Sequence, residues 1–120
     1  MESFALSFPI LPGKLEDARA FAAEVAGPRA AEMEESRRSV GATRETVWVQ
    51  QTPMGDVGIV LIEGEDVAAA NRGFAQSQAP FDVWFKQRVL DISGLDLNNP
   101  PEMELPELLS VYQAKLAVAT

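Results

Sequence analysis

The chain has 120 residues, the size of a single domain, and its 47% hydrophobic and 23% charged residues form an ordinary globular composition. Its 18 acidic residues outnumber its 10 basic ones and give a net charge of −8. This negative charge argues against DNA or RNA as a partner, because Lys and Arg contacts to phosphate supply most of that affinity. Cys and His are both absent, which excludes disulfides, thiolate nucleophiles and the commonest metal ligands. We therefore expect no metal ion and no resident cofactor.

The amino terminus does not resemble a targeting segment. It lacks a basic region followed by an apolar run, and Pro9 and Pro12 interrupt it. Elsewhere no apolar run approaches the roughly 20 residues that cross a bilayer. We expect one domain over residues 1–120 that is cytoplasmic and has no membrane partner.

The first third of the chain predicts a strand followed by an interrupted helix. Apolar residues alternate with small or polar ones over residues 3–10, which is the period of a half-buried strand. Apolar residues return at helical spacing over residues 15–25. Gly27-Pro28 then interrupts the helix, so that Pro28 either kinks it or opens a second segment that runs to about Ser39. Gly41 is expected to end that segment.

The middle of the chain predicts a β-hairpin. Residues 43–52 are rich in Thr, Val and Trp, and residues 57–62 are almost wholly aliphatic. Between them, Pro53 suits a tight turn and Gly55 can take a positive φ.

The last part predicts a second interrupted helix and a final strand. Asp66 suits the N-cap of a helix, Ala79-Pro80 restarts that helix, and Gly94 ends it. Residues 95–106 form a connector punctuated by Pro and Asn. Residues 108–114 predict a short final strand, with a helical turn as the alternative.

This order of elements, βαββαβ with a tight central hairpin, predicts an α+β domain of the ferredoxin-like type. Such a plait has a four-stranded antiparallel sheet with both helices on one face. The other face normally meets water, yet the strand 57–62 is apolar on both faces and Trp48 points away from Val47 and Val49. We therefore expect a homodimer that buries the second face of the sheet. The alternative is a monomer whose connector 95–106 folds across that face.

Three segments resemble a known family: FALSFPILPGK at residues 4–14, TRETVWVQQTPMGD at 43–56, and PFDVWFK at 80–86. They are similar to a small bacterial family of uncharacterised proteins within the dimeric α+β barrel superfamily. That superfamily includes antibiotic-biosynthesis-type monooxygenases and haem-degrading relatives. The resemblance covers most of the chain to about residue 110 and implies a dimeric α+β barrel. Haem-degrading relatives hold iron through a histidine, which this chain lacks, so haem chemistry is not implied.

Five residues are candidates for ligand binding: Arg44, Trp48, Gln50, Trp84 and Tyr112. The first three share one face of a strand and could form a pocket wall with an aromatic platform, a cation and an amide. The alternative for these three is an interface patch, since Trp and Arg are enriched at protein contacts. Trp84 more simply belongs to a helix-to-sheet core, and Tyr112 to a half-buried strand.

The other titratable groups give weaker evidence for a metal site or a catalytic residue. Glu63, Glu65 and Asp66 lie together but lack the spacing of a calcium loop, and capping explains Asp66. Glu45 would be a candidate general base only if it were buried beside an arginine. No catalytic residue is identified.

Two functions follow from the sequence. The first is a dimeric barrel that binds a small aromatic or hydrophobic molecule and acts as a cofactor-free, monooxygenase-like enzyme. The second is a non-catalytic module for self-association or regulation.

Overall fold

The computed structural model describes residues 1–99 and 106–115. Over these residues the chain forms a three-stranded sheet and four helices, which confirms the α+β class. The elements in chain order are β1 (Glu2–Pro9), α1 (Leu15–Ala26), α2 (Ala30–Val40), β2 (Ala42–Thr52), β3 (Gly55–Gly64), α3 (Val67–Gln76) and α4 (Pro80–Ser93). Among the described residues no helix is long and apolar enough to cross a bilayer.

The sheet is antiparallel with strand order β1-β3-β2. The predicted hairpin between β2 and β3 is confirmed. Its turn uses Gly55 at φ 124°, and the Thr52 hydroxyl donates to the Gly55 carbonyl at 2.6 Å while it accepts from the Met54 N–H at 3.2 Å. The turn is therefore stabilised by a positive φ that glycine adopts readily and by the hydrogen bonds of the Thr52 hydroxyl.

The predicted helix ends are also largely confirmed. Gly41 and Gly94 take left-handed conformations after α2 and α4, and the Asp66 carboxylate accepts from the Ala69 N–H at 2.9 Å at the start of α3. One detail is wrong: Pro28 is not the first residue of α2, which begins at Ala30. The interruption between α1 and α2 covers residues 27–29, so Pro28 lies inside it. There the Arg29 N–H bonds to the Glu24 carbonyl at 3.0 Å.

One face of the sheet meets the helices. It carries Glu45, which is paired with Arg37 on α2, and Val60, which lies opposite Val47 in β2. Gly58 is on the same face, where an added Cβ would collide with the ring of Phe8. Because Val60 faces the helices, substituting it with Asp would perturb the fold rather than an interface on the far side.

The core is thin for a chain of this length. Among the described residues only four hydrophobic side chains are fully buried, namely Ile10, Ala70, Phe81 and Ile92. The chain exposes 8541 Å², whereas a compact monomer of the same mass would expose about 6300 Å². The whole chain therefore exposes roughly 2000 Å² more than such a monomer, and the exposed segment 106–115 contributes to this excess.

The predicted fourth strand is not formed. Residues 106–115, which include the predicted strand 108–114, have no regular structure and are exposed. A strand persists only when it pairs and packs, because otherwise nothing offsets the entropy lost on ordering it. The sheet therefore has three strands rather than four in the described part of the chain, and the connector 95–106 lies partly outside it.

Candidate functional site

The face of the sheet that points away from the helices, here called the open face, is the first candidate site. Strand pairing arranges its residues in four rows across β1, β3 and β2. These rows are Ser3–Glu63–Arg44, Ala5–Leu61–Thr46, Ser7–Ile59–Trp48 and Pro9–Val57–Gln50.

The middle of the open face is apolar and uneven. Trp48 is 48% exposed and stands beside the aliphatic column of Val57, Ile59 and Leu61 on β3. On the other side of that column β1 contributes only small side chains such as Ser7. The strip of aliphatic side chains between the bulky ring on one flank and the small residues on the other is here called the trough. Such a surface suits a flat hydrophobic molecule.

The two ends of the open face are polar. At one end the Arg44 guanidinium is 3.7 Å from the Glu63 carboxylate, with side-chain exposures of 74% and 28%. An exposed pair at this distance contributes little, so an incoming anion can compete for Arg44. Gln50 lies at the other end and is exposed, about 20 Å away along the strand.

The structure brings three of the five predicted ligand-binding residues onto this face and separates the other two. Trp84 belongs to the helix layer, where its ring lies 5.4 Å from that of Phe21 and under the Arg29 guanidinium at 4.0 Å. It is therefore on the opposite side of the sheet from Trp48. Tyr112 lies in the segment 106–115, is 91% exposed, and is not the half-buried strand tyrosine that the sequence suggests.

A second polar constellation lies on the helix side of the sheet. Arg37 donates to both Glu45 oxygens at 2.9 and 3.2 Å, and the two side chains are only 12% and 10% exposed. Glu45 thus does lie beside an arginine, the condition set for a general base. Arg37 also donates to the Ser36 hydroxyl at 2.8 Å, and Ser36 donates to Asp82.

Asp82 and Lys86 complete this network inside α4. Asp82 is 2% exposed and accepts a second bond, from the Ser77 hydroxyl at 2.5 Å. Lys86 is 1% exposed and donates to the carbonyls of Phe74, Ala75 and Ser77 at 3.1, 3.1 and 2.8 Å. These bonds satisfy the carboxylate and close the end of α3.

This helix-side network is satisfied throughout. In residues 1–99 and 106–115 every buried side-chain nitrogen or oxygen has a hydrogen-bond partner. A network that joins β2, α2, α3 and α4 with no unpaired group is an arrangement for holding elements together. Sequence reasoning missed most of it, because Ser36 and Asp82 are 46 positions apart and each resembles an ordinary polar helix residue.

A groove of about 500 Å³ runs between α2 and the outer edge of β2. We call it the edge groove, and its lining includes Met33, Arg37, Arg38, Thr43 and Arg44. Arg38 is paired with Glu34 at 2.6 Å, and its side chain is 66% exposed. The edge groove runs beside the first residues of β2, whose outer edge has no paired strand among the described residues.

The acidic residues near the end of β3 have separate roles. Glu63 lies beside Arg44, and Asp66 caps α3. In the part of the chain that the structure describes, no three Asp or Glu side chains come close enough to hold a metal ion.

Comparison with known proteins identifies a fold but no family. No family model matches the chain, and no curated protein matches it. It is similar to the solved structure of tetracenomycin F2 cyclase from Streptomyces glaucescens, a type-II polyketide cyclase, with a TM-score of 0.55. The two are 19% identical, and the match covers 98% of this chain and 99% of the cyclase. The likeness shows that the two chains share an α+β fold.

Proposed function

We propose that this protein binds small, partly aromatic molecules on the open face of its sheet and that a second copy covers this face. The two copies would form a dimeric α+β barrel, the arrangement implied by the family resemblance. The observation that carries the proposal is the open face itself, on which Trp48 is 48% exposed beside three aliphatic side chains.

The homodimer is supported by the surface that a single copy exposes. A stable two-fold interface between small subunits removes about 800 Å² per partner, and obligate ones remove more. Half-exposed Trp48 and the aliphatic column beside it on β3 offer apolar surface for such an interface. Two copies packed face to face would cover Trp48, Ile59 and Leu61 and supply the core that each copy lacks.

The chemistry of the ligand is supported by the residues around the trough. Trp48 offers an aromatic surface for stacking. Arg44 offers a guanidinium that suits a carboxylate or phenolate, and Gln50 can donate and accept at the far end. A polyketide cyclase shares the α+β fold, which supports a small-molecule ligand.

Catalysis of the cofactor-free monooxygenase type is the finer form of this proposal. The open face carries a cation to stabilise a substrate anion and apolar walls to exclude water. Because this chain has neither His nor Cys, the proton acceptor would be a carboxylate, Lys, Tyr or the substrate itself, and the ionised substrate would supply the electrons that reduce dioxygen.

The test is a titration with 2-naphthoate, an aromatic carboxylate. Tryptophan fluorescence is followed in a Trp84→Phe background, so that Trp48 is the only reporter. We expect saturable quenching that weakens at least tenfold in Arg44→Gln. Arg38→Gln is the matched control, since Arg38 is similarly exposed but lies on α2. Absence of saturable binding, or equal loss in both variants, would overturn the site.

A non-catalytic module for self-association is the second candidate. It is favoured by the satisfied state of the buried polar groups in the described residues. Native mass spectrometry of the freshly purified protein separates the two. A co-purified small molecule on the dimer supports ligand binding, whereas a ligand-free dimer that also fails to bind 2-naphthoate supports the module.

A further inference from the structure

We infer that residues 106–115 of one copy add as a strand to the free edge of β2 in a second copy. The inference rests on the homodimer proposed above and names a further contact within it. Four large apolar side chains of this segment are almost fully exposed, namely Leu108 (79%), Leu109 (86%), Val111 (72%) and Tyr112 (91%). Several large apolar side chains exposed together in one segment indicate an interaction surface.

The free edge of β2 has the pattern that this segment requires. Adjacent residues of β2 remain exposed on both faces, with Val47 at 53%, Trp48 at 48% and Val49 at 40%. The segment is apolar on both faces too, because Leu108 and Leu109 point to opposite sides of an extended chain.

The outer edge of β1 is a poorer match. Its open side carries Ser3, Ala5 and Ser7, and Pro9 removes a donor from the ladder. An unpaired edge with apolar side chains on both faces is a template for strand addition. Among the edges of the described sheet, that of β2 meets this condition.

Charge complementarity supports the same edge. The lining of the edge groove beside β2 holds three arginines and two glutamates, a small positive excess, and the guanidiniums of Arg38 and Arg44 are exposed. The segment has Glu107 near its start and follows Glu102 and Glu104 in the sequence. Its acidic end would therefore be drawn toward the basic side of the edge groove.

This contact has a consequence for the candidate ligand site. A strand beside β2 would place Tyr112 of the partner copy on the strand next to Trp48 and Gln50. The phenol that is remote from the open face within one copy would then be supplied in trans. The site would be incomplete without the second copy.

The absence of native Cys allows a direct test by disulfide formation between single-cysteine variants. Ser110→Cys, at the centre of the segment, is mixed with Thr46→Cys or Val47→Cys, which lie on opposite faces at the centre of β2. We expect a mixed disulfide with one of these two. The matched control is Ser7→Cys on β1, which we expect to remain uncross-linked to Ser110→Cys. Cross-linking to β1 instead would overturn the inference.

A double variant that carries Ser110→Cys with Val47→Cys or Thr46→Cys tests pairing within one chain. A disulfide that forms inside a monomer at dilution, with no mixed species from the single variants, would overturn the inference.

Deletion of residues 106–120 separates this inference from the homodimer itself. If the segment pairs with β2, we expect the dissociation constant to rise at least 100-fold. In the Trp84→Phe background, we also expect the Trp48 emission to shift to longer wavelength. A truncated protein that stays dimeric with unchanged emission would refute the strand addition and leave the face-to-face dimer intact. A full-length chain that is monomeric at micromolar concentration would refute both.

Discussion

Trp48 and Val47 provide a matched pair for testing which face of the sheet associates. They are neighbours in β2, are exposed to a similar extent at 48% and 53%, and point to opposite faces. If the open face is the dimer interface, Trp48→Ser removes interface surface from both copies. Val47→Ser removes a comparable exposed side chain from the helix side, where only the strand added at the edge of β2 would contact it, and should change association less.

The magnitude follows from the surface that Trp48 still exposes. An aromatic residue can bury up to about 250 Å², so roughly 120 Å² of Trp48 remains available to a partner. At about 25 cal/mol per Å² this is worth about 3 kcal/mol per copy. Each 1.4 kcal/mol is about tenfold in an equilibrium constant. Allowing for incomplete coverage, we expect the dissociation constant to rise by at least about 100-fold.

Sedimentation equilibrium over a concentration series measures this change directly. Far-ultraviolet circular dichroism at high protein concentration checks that both variants keep the secondary structure of the parent. The reasoning would be refuted if Trp48→Ser dimerised like the parent, or if Val47→Ser weakened the dimer as much. In the second case the exposed part of the helix side, and not the open face, would carry the association.

Three further changes test the packing and charges on the helix side. Gly58→Ala should lower the free energy of unfolding by about 1–3 kcal/mol, because the added methyl group overpacks against Phe8. Urea titration should show a smaller loss when the same change is made in a Phe8→Leu background. Equal losses in the two backgrounds would contradict the contact. Lys86→Met should cost about 2–4 kcal/mol, because three carbonyls lose their donor, and a change below 1 kcal/mol would contradict that role. The hydrogen bond from Arg29 lowers the pKa of Glu32, so this bond stabilises the fold above the unfolded-state pKa of Glu32 and ceases to do so as the pH falls through the folded-state pKa. In Arg29→Met, an NMR titration should show a higher pKa for Glu32. An unchanged pKa would refute the pairing.

Local signals in the sequence were sufficient for most of the secondary structure. Period-two alternation predicts β1, and the turn residues between two apolar runs predict the hairpin. Asp66, Gly41 and Gly94 mark helix ends because each acts within a few residues of its own position. The final strand at 108–114 could not be predicted in this way. An apolar run forms a strand only if an edge receives it, and the described residues of the same chain do not provide one.

The sequence predicts the candidate site only for the residues whose position on a sheet face follows from strand geometry alone. Arg44, Trp48 and Gln50 share a face because side chains alternate along β2, and that inference needs no tertiary information. Trp84 and Tyr112 were assigned to the same site by residue type, but their positions depend on helix packing and on the path of the chain after α4. Periodicity also could not decide which apolar face of β3 meets the helices. The contact of Arg37 with Glu45 decides it.

The two faces of the sheet differ in how completely their polar groups are satisfied, and this difference allows their roles to be separated experimentally. On the helix side Arg37 binds Glu45 directly and reaches Asp82 through Ser36, which joins α2, β2 and α4, so a change there should register as lost stability. On the open face the substantial exposure of Trp48 and Arg44 leaves little folding energy to lose. Substitutions on that face should therefore change association or ligand affinity at nearly constant stability. A large loss of stability from Arg44→Gln would show that the open face is already part of the core.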